Sequence, residues 1–277
     1  MRANLPVEIL LDIFECFTFA SSGYVDFEGN HVGQIATSKL QTLRSICLVS
    51  KRFRGLAEPL LYQTYVKPNT VRYKRPPYAF ERHDWIPRAK PFPKRSLQLF
   101  LRRISERPDL ARCVRSISLG LWNPEPAISI DPAMSSFYAG HDLARNLTLG
   151  SLQESWKNSL LAGSEDAEIA LLLMLTPNVR DIWFSMPAFQ SPVQHTFWFS
   201  KVFEQVHMGN ALVHPFQHLS MAFAHHWGQE VITIGPEFGF PLRPFAAMAR
   251  VPTLKTFDTI GEFGVQVAQH VWMGPNQ

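Results

Sequence analysis

The sequence predicts a mixed helix and strand protein, α+β or α/β, in which a three-helix N-terminal module precedes an irregular array of helix and strand units. Two strongly apolar helical stretches lie within residues 1–65, a proline-rich basic segment follows, and after it short apolar segments recur, each preceded by a helical stretch and a proline. The 277 residues suffice for a small module plus a larger domain. A charged share of only 18% with 7 Trp and 21 Phe points to a folded chain.

The first helical stretch is "ANLPVEILLDIFECF", Ala3 to Phe17. Asn4 is placed to cap it, Pro6 falls in the first turn where a missing N–H costs nothing, and Glu8 lies near the positive end of the helix dipole. Glu8, Asp12 and Glu15 share one narrow stripe, whereas Leu5, Val7, Ile9, Leu10, Leu11, Ile13, Phe14 and Phe17 spread over the remainder. Such an apolar arc is wider than one packing partner can cover.

The second stretch, Leu40 to Tyr65, supplies one partner. Leu40, Leu43, Ile46 and Cys47 recur at helical spacing, as do Phe53, Leu56, Leu60 and Leu61. Ser50 can cap a helix after "LV", and Pro59 is expected to start or break another. Thr18 to Lys39, with Gly23, Gly29 and Gly33, is read as a loop inserted into the module. Three short helices bury too little surface to stand alone, so a further partner is expected.

"LPVEILLDIF" followed by "LRSICLVSKRFRGLAEPLLYQ" resembles the F-box, of the kind abundant in filamentous fungi. The likeness covers about a seventh of the 277 residues and departs from the family in the long insertion. It implies a non-catalytic substrate-recognition subunit of an Skp-cullin-F-box ubiquitin ligase. Leu5, Pro6, Ile9, Leu10, Ile13 and Phe14, with Leu48, Val49, Ser50 and Phe53, would form or support the surface for the Skp-type adaptor, and through it the cullin. An adaptor-binding protein outside any ligase would carry the same residues.

From Lys67 to Pro93 six prolines exclude a long helix or a central strand, and residues 66–95 read as a linker or strap. Carried on to Arg103, the stretch holds eleven Lys or Arg interleaved with Tyr73, Tyr78, Phe80, Trp85 and Phe92. That mixture can bind single-stranded nucleic acid, which gives an alternative function. Anchoring of aromatic rings on a neighbouring core is the commoner role, so nucleic acid is not the expected partner.

Residues 96–277 carry the spaced pattern. "VRSISL" (Val114, Ile117, Leu119), "VRDIWF" (Val179, Ile182, Phe184), "FQHLSM" (Phe216, Leu219, Met221) and "LKTF" (Leu254, Phe257) are read as strands. Helical stretches Leu97 to Arg107, Ala167 to Leu175, Phe197 to Met208 and Arg243 to Arg250 precede them, separated by Pro108, Pro177, Pro215 and Pro252. Val179 to Phe216 nearly equals Phe216 to Leu254 in length, which suggests stacked units with strands pairing in parallel. The longer interval after Val114 can hold a degenerate unit around Leu143 to Leu161. The pattern resembles divergent leucine-rich repeats without their Asn or Cys ladder; an ordinary non-repetitive α/β domain is the alternative.

No GxxxxGK[ST], GxGxxG or GxSxG motif occurs. His214 and His218 are interrupted by Pro215, His218 is expected in a strand, and His225-His226 has no further ligand at metal-binding spacing. Cys113 and His141-Asp142 lack partners in the sequence. No catalytic residue, cofactor or metal site is therefore predicted. Cys16 and Cys47 read as small buried hydrophobes and the three cysteines as reduced thiols, with a cytoplasmic or nuclear location. Glu8 and Asp12 interrupt any secretory core, and no membrane span is expected. "HVWMGPNQ" provides no clear polar cap for a repeat array, so whether the C-terminus is complete stays open. The target protein would dock on the C-terminal region, with Trp122, Trp183, Trp198 and Trp227 as candidate anchors, although core packing is the commoner role of each.

Overall fold

The computed structural model describes residues 5–18, 31–67, 95–121, 132–140, 150–186, 198–208, 216–226 and 247–261. The apolar N-terminal stretches form α1 (Val7–Glu15), α2 (His31–Val49) and α3 (Lys51–Leu61). Pro6 stands at the N-cap of α1 rather than inside its first turn, and its carbonyl accepts the Leu10 N–H at 3.2 Å. Asn4 lies outside the described residues.

Two local expectations fail here. His31 to Lys39 is helical rather than loop, because Val32, Ile35, Ala36, Leu40 and Leu43 recur in the sequence at helical spacing and a single glycine costs only about 1 kcal/mol. Pro59 neither starts nor breaks a helix but lies inside α3. Only two helical residues follow it, so its ring displaces just the bond to the Gly55 carbonyl while Tyr62 N–H still reaches Glu58 O at 3.2 Å. Ser50 caps α3 as its residue type dictates, its hydroxyl accepting the Phe53 N–H at 3.1 Å.

Leu10, Phe14, Leu43, Cys47, Ala57 and Leu60 make the buried centre of this module, with Phe14 edge-on to Phe53 at 5.6 Å. The chain then enters β1 (Thr64–Val66), so residues read as the end of the helical module already belong to a sheet. The signal was present in Tyr62 and Tyr65, which repeat the apolar-x-x-apolar spacing of the later strands.

Beyond it, α4 (Arg95–Glu106) and α5 (Pro108–Ala111) lead into β2 (Ser116–Leu121). Then α6 (Pro132–Gly140), α7 (Gln153–Leu161) and α8 (Glu165–Leu175) lead into β3 (Asp181–Met186). Next come α9 (Trp198–His207) and β4 (Met221–His226), and a 3-10 turn (Met248–Arg250) precedes β5 (Thr256–Gly261). Among the described residues, no helix is long and apolar enough to cross a membrane.

The protein is thus α/β, and the five strands among the described residues form one wholly parallel sheet in sequential order β1-β2-β3-β4-β5. Parallel strands need crossovers, and helices supply them. One register row, Tyr65, Ile117, Ile182, Ala222 and Phe257, faces the main core together with Leu97, Leu101, Ile104 and Phe203 from the helices. At the start of each of β2 to β5 two consecutive N–H groups share the carbonyl of the residue just before the preceding strand. Arg115 and Ser116 bond Gln63, Arg180 and Asp181 bond Arg115, Ser220 and Met221 bond Arg180, and Lys255 and Thr256 bond Ser220.

That recurrence corrects the sequence alignment of the units. Val179 corresponds to Leu219, not Phe216, since each lies two residues before its strand and is fully buried. Phe216 sits instead in a turn at φ 48° and stacks on Phe203 at 4.8 Å. His218 consequently lies in the turn, exposed, and not in a strand. β2 pairs directly with β3, so Leu143 to Leu161 inserts no strand between them. Of Arg243 to Arg250 the described part is only the short turn at its end. The strap at 68–94 lies outside the described residues.

Candidate functional site

The surface of the N-terminal module is the first candidate. Leu5, just before α1, and Ile9 and Ile13 on it are 51%, 46% and 44% exposed, and at the α2–α3 junction Leu48 and Val49 are 73% and 68% exposed. Val7, also exposed at 40%, points to the other side of the helix, two residues out of step with Leu5 and Ile9. Arg52 donates from Nη2 to the Leu5 carbonyl at 2.9 Å, which draws the junction against the start of α1. Two apolar segments far apart in sequence are thereby tied side by side. Exposed large aliphatic side chains on both linked segments make this a candidate interaction surface.

The ten residues expected at that surface divide by burial. Leu5, Pro6, Ile9, Ile13, Leu48, Val49 and Ser50 are exposed, while Leu10 and Phe14 are buried and Phe53 is half-buried against Phe14. Leu10 and Phe14 can therefore only support the exposed group from beneath. Cys16, expected to be buried, is exposed, because it lies on the helix face of Leu5, Ile9 and Ile13; its thiol donates to the Asp12 carbonyl at 3.3 Å. Cys47 is buried as expected, and burial pushes its thiol pKa up, with Glu58 adding to the shift.

A second cluster, missed in the sequence, lies in the first turn of α8. Glu165, Asp166 and Glu168 are all buried although negative charge is costly there. Each is matched by a donor from a different element. Glu165 pairs with Lys67 just after β1. Asp166 accepts the N–H groups of Trp198 at 2.5 Å and Phe199 at 3.3 Å, capping α9. Glu168 accepts from Gln98 of α4 at 2.8 Å and from the Tyr138 hydroxyl of α6 at 2.9 Å.

Burial raises the Asp166 pKa to about 7 against the two N–H groups that lower it, and Glu165 adds to the rise. Burial and the neighbouring Glu168 hold the Tyr138 hydroxyl in its protonated, donating form, with its pKa raised. The arrangement cross-links elements and leaves each carboxylate occupied. Among the described residues no group of three or more His, Cys, Asp or Glu is arranged to hold a metal ion. Acids opening an apolar helix were readable as dipole complements, but their burial was not, since it depends on Lys67, Gln98 and Tyr138 arriving from distant segments.

The tryptophans expected as anchors separate too. Trp198 is buried in the core, whereas Trp183 lies half-buried on the sheet face opposite the main core, stacked on Phe223 at 3.7 Å. Trp122 and Trp227, with His141, Asp142 and His214, lie outside the described residues. Cys113 is half-buried, its thiol donating to the Asp109 carbonyl at 3.3 Å. No family model, no curated protein and no solved structure matches the chain.

Proposed function

We propose that the chain is a substrate-recognition subunit of an Skp-cullin-F-box ubiquitin ligase, docking the Skp-type adaptor through α1 and the α2–α3 junction. The carrying observation is that Leu5, Ile9, Ile13, Leu48 and Val49 are all exposed, with the Arg52 to Leu5 hydrogen bond linking the two segments that bear them. A partner that covers these side chains removes their apolar area from water at roughly 25 cal/mol per Å² before the cost of association. In this reading Leu10, Phe14 and Phe53 set the angle of the exposed rows, and Pro6 and Ser50 fix the helix starts.

The sheet domain would present the target, and ubiquitin transfer would take place on partner subunits, with proximity as this chain's contribution. Sequential parallel strands with recurring pre-strand turns support a leucine-rich-repeat-like solenoid as the finer description of that domain. The test is affinity purification of the tagged chain beside a Leu5→Asp, Ile9→Asp variant. Recovery of adaptor and cullin with the unmutated chain alone is the expected result. Adaptor without cullin would favour a role outside a ligase, and equal recovery with the variant would remove the interface assignment.

A further inference from the structure

We propose that the edge formed by the strand starts is a docking ridge for an acidic segment of a partner protein, separate from the apolar group on α1. The shared-carbonyl pattern sets Gln63, Arg115, Arg180, Ser220 and Lys255 side by side on consecutive strands. At about 4.8 Å per strand, the stretch from Arg115 to Lys255 spans roughly 14 Å. The turns leading into these positions are Arg112 to Arg115, Pro177 to Arg180, Gln217 to Ser220 and Pro252 to Lys255, and none contains an Asp or Glu. Arg112, Arg180, His218 and Lys255 are exposed, and Arg250 lies exposed just before the last turn.

These cations are not consumed by the fold. Among the described residues Arg112, Arg180, Arg250 and Lys255 form no ion pair, and the Arg115 guanidinium donates to the Asn178 carbonyl at 3.3 Å rather than to a carboxylate. Several cations elsewhere in the same domain contrast with them, since Arg102, Arg103, Arg107, Lys67 and Lys201 each have a carboxylate, although among the described residues Lys157 has none. Helix carbonyl ends also point towards this edge, where positive charge complements them, but that effect falls off within one turn and leaves the guanidinium forks available. Arginine forks match carboxylates in two-point contacts.

The ridge length fits four or five residues of an extended peptide at about 3.3 Å each. It suits nucleic acid less well, because the four turns offer no Phe, Tyr or Trp on which a base could stack and too few cations for a duplex.

The test is fluorescence anisotropy of a labelled octaglutamate peptide with the full chain. It is compared with a Ser-Gly peptide of equal length, a peptide in which phosphoserines replace the glutamates, and a single-stranded oligonucleotide of equal charge. The variant Arg180→Glu, Lys255→Glu, at two exposed positions, is set against Arg44→Glu, Lys51→Glu, which changes net charge equally on the helical module. The expected result is octaglutamate binding weakened about tenfold by the ridge pair and changed less than about twofold by the control pair. Tighter binding of the phosphoserine peptide, lost in the same variant, would support the ridge and assign the anion to phosphate. Equal loss with both pairs, absence of octaglutamate binding to the unmutated chain, or preference for the oligonucleotide would overturn the proposal.

Discussion

Asp166 concentrates the residue-scale physics of this chain, because one carboxylate is at once buried, close to Glu165 and bonded to two N–H groups of α9. Its folded pKa of about 7 lies above the unfolded value of 3.8. The folded state therefore binds the proton more tightly, and its contribution to stability is greatest below the unfolded pKa and declines as pH rises towards 7. Asp166→Asn should flatten the fall of melting temperature between pH 5 and pH 8, an interval worth a few kcal/mol if the ionised form is as poorly solvated as its burial indicates. Parallel slopes for the two proteins in that interval would show that Asp166 does not titrate there. The other residue-scale prediction concerns Ser50, whose hydroxyl serves the Phe53 N–H. Replacement by alanine should cost about 1 kcal/mol in chemical denaturation, and a cost near zero would mean water replaces the cap fully.

At the element scale, α1 and α8 show how differently two apolar helices are used. α1 keeps Leu10 and Phe14 inside and leaves Leu5, Ile9 and Ile13 outside, whereas α8 is buried on every side from Glu165 to Met174. The breadth of the α1 arc was legible in the sequence, since Glu8, Asp12 and Glu15 leave most of the helix apolar. Which apolar row faces inward was not, because that choice depends on where α2 and α3 bring Leu43, Cys47 and Leu60. The strands after β1 were legible from alternating side chains. The segment that becomes β4 was aligned on Phe216 instead of Leu219, three residues early, because Phe216 mimics a strand residue while occupying a turn at positive φ.

On the scale of the whole molecule, the helical module and the sheet are joined by more than chain continuity. β1 pairs with β2, Glu58 of α3 bonds Arg103 at 3.0 Å with Arg107 at 3.7 Å, and Tyr62 stacks on Phe100 at 5.5 Å. The exposed ion pairs contribute little individually, but the strand pairing and the ring contact, in which Tyr65, Ile117, Tyr62 and Phe100 pack with the main core, anchor the chain leaving α3 onto the sheet. Leu43→Ala, which empties a fully buried site in the module, should cost about 2–5 kcal/mol and lower a single unfolding transition rather than detach an early one. Calorimetry that resolves two transitions would show the module and the sheet to be independent.

The sequence by itself determined that helices and strands are mixed, the helix start at Ser50, the broad apolar surface of α1 and most strands of the parallel sheet. These follow from local chemistry, in which capping, periodicity and proline act within a few residues. Tertiary structure alone decided that Leu10 and Phe14 go inside, that Cys16 stays outside, and that three acids of α8 are buried. It also decided that Arg115, Arg180 and Lys255 share one edge. Each of those outcomes needs partners brought from distant segments, and the balance between desolvating a side chain and matching it is settled only where those partners meet.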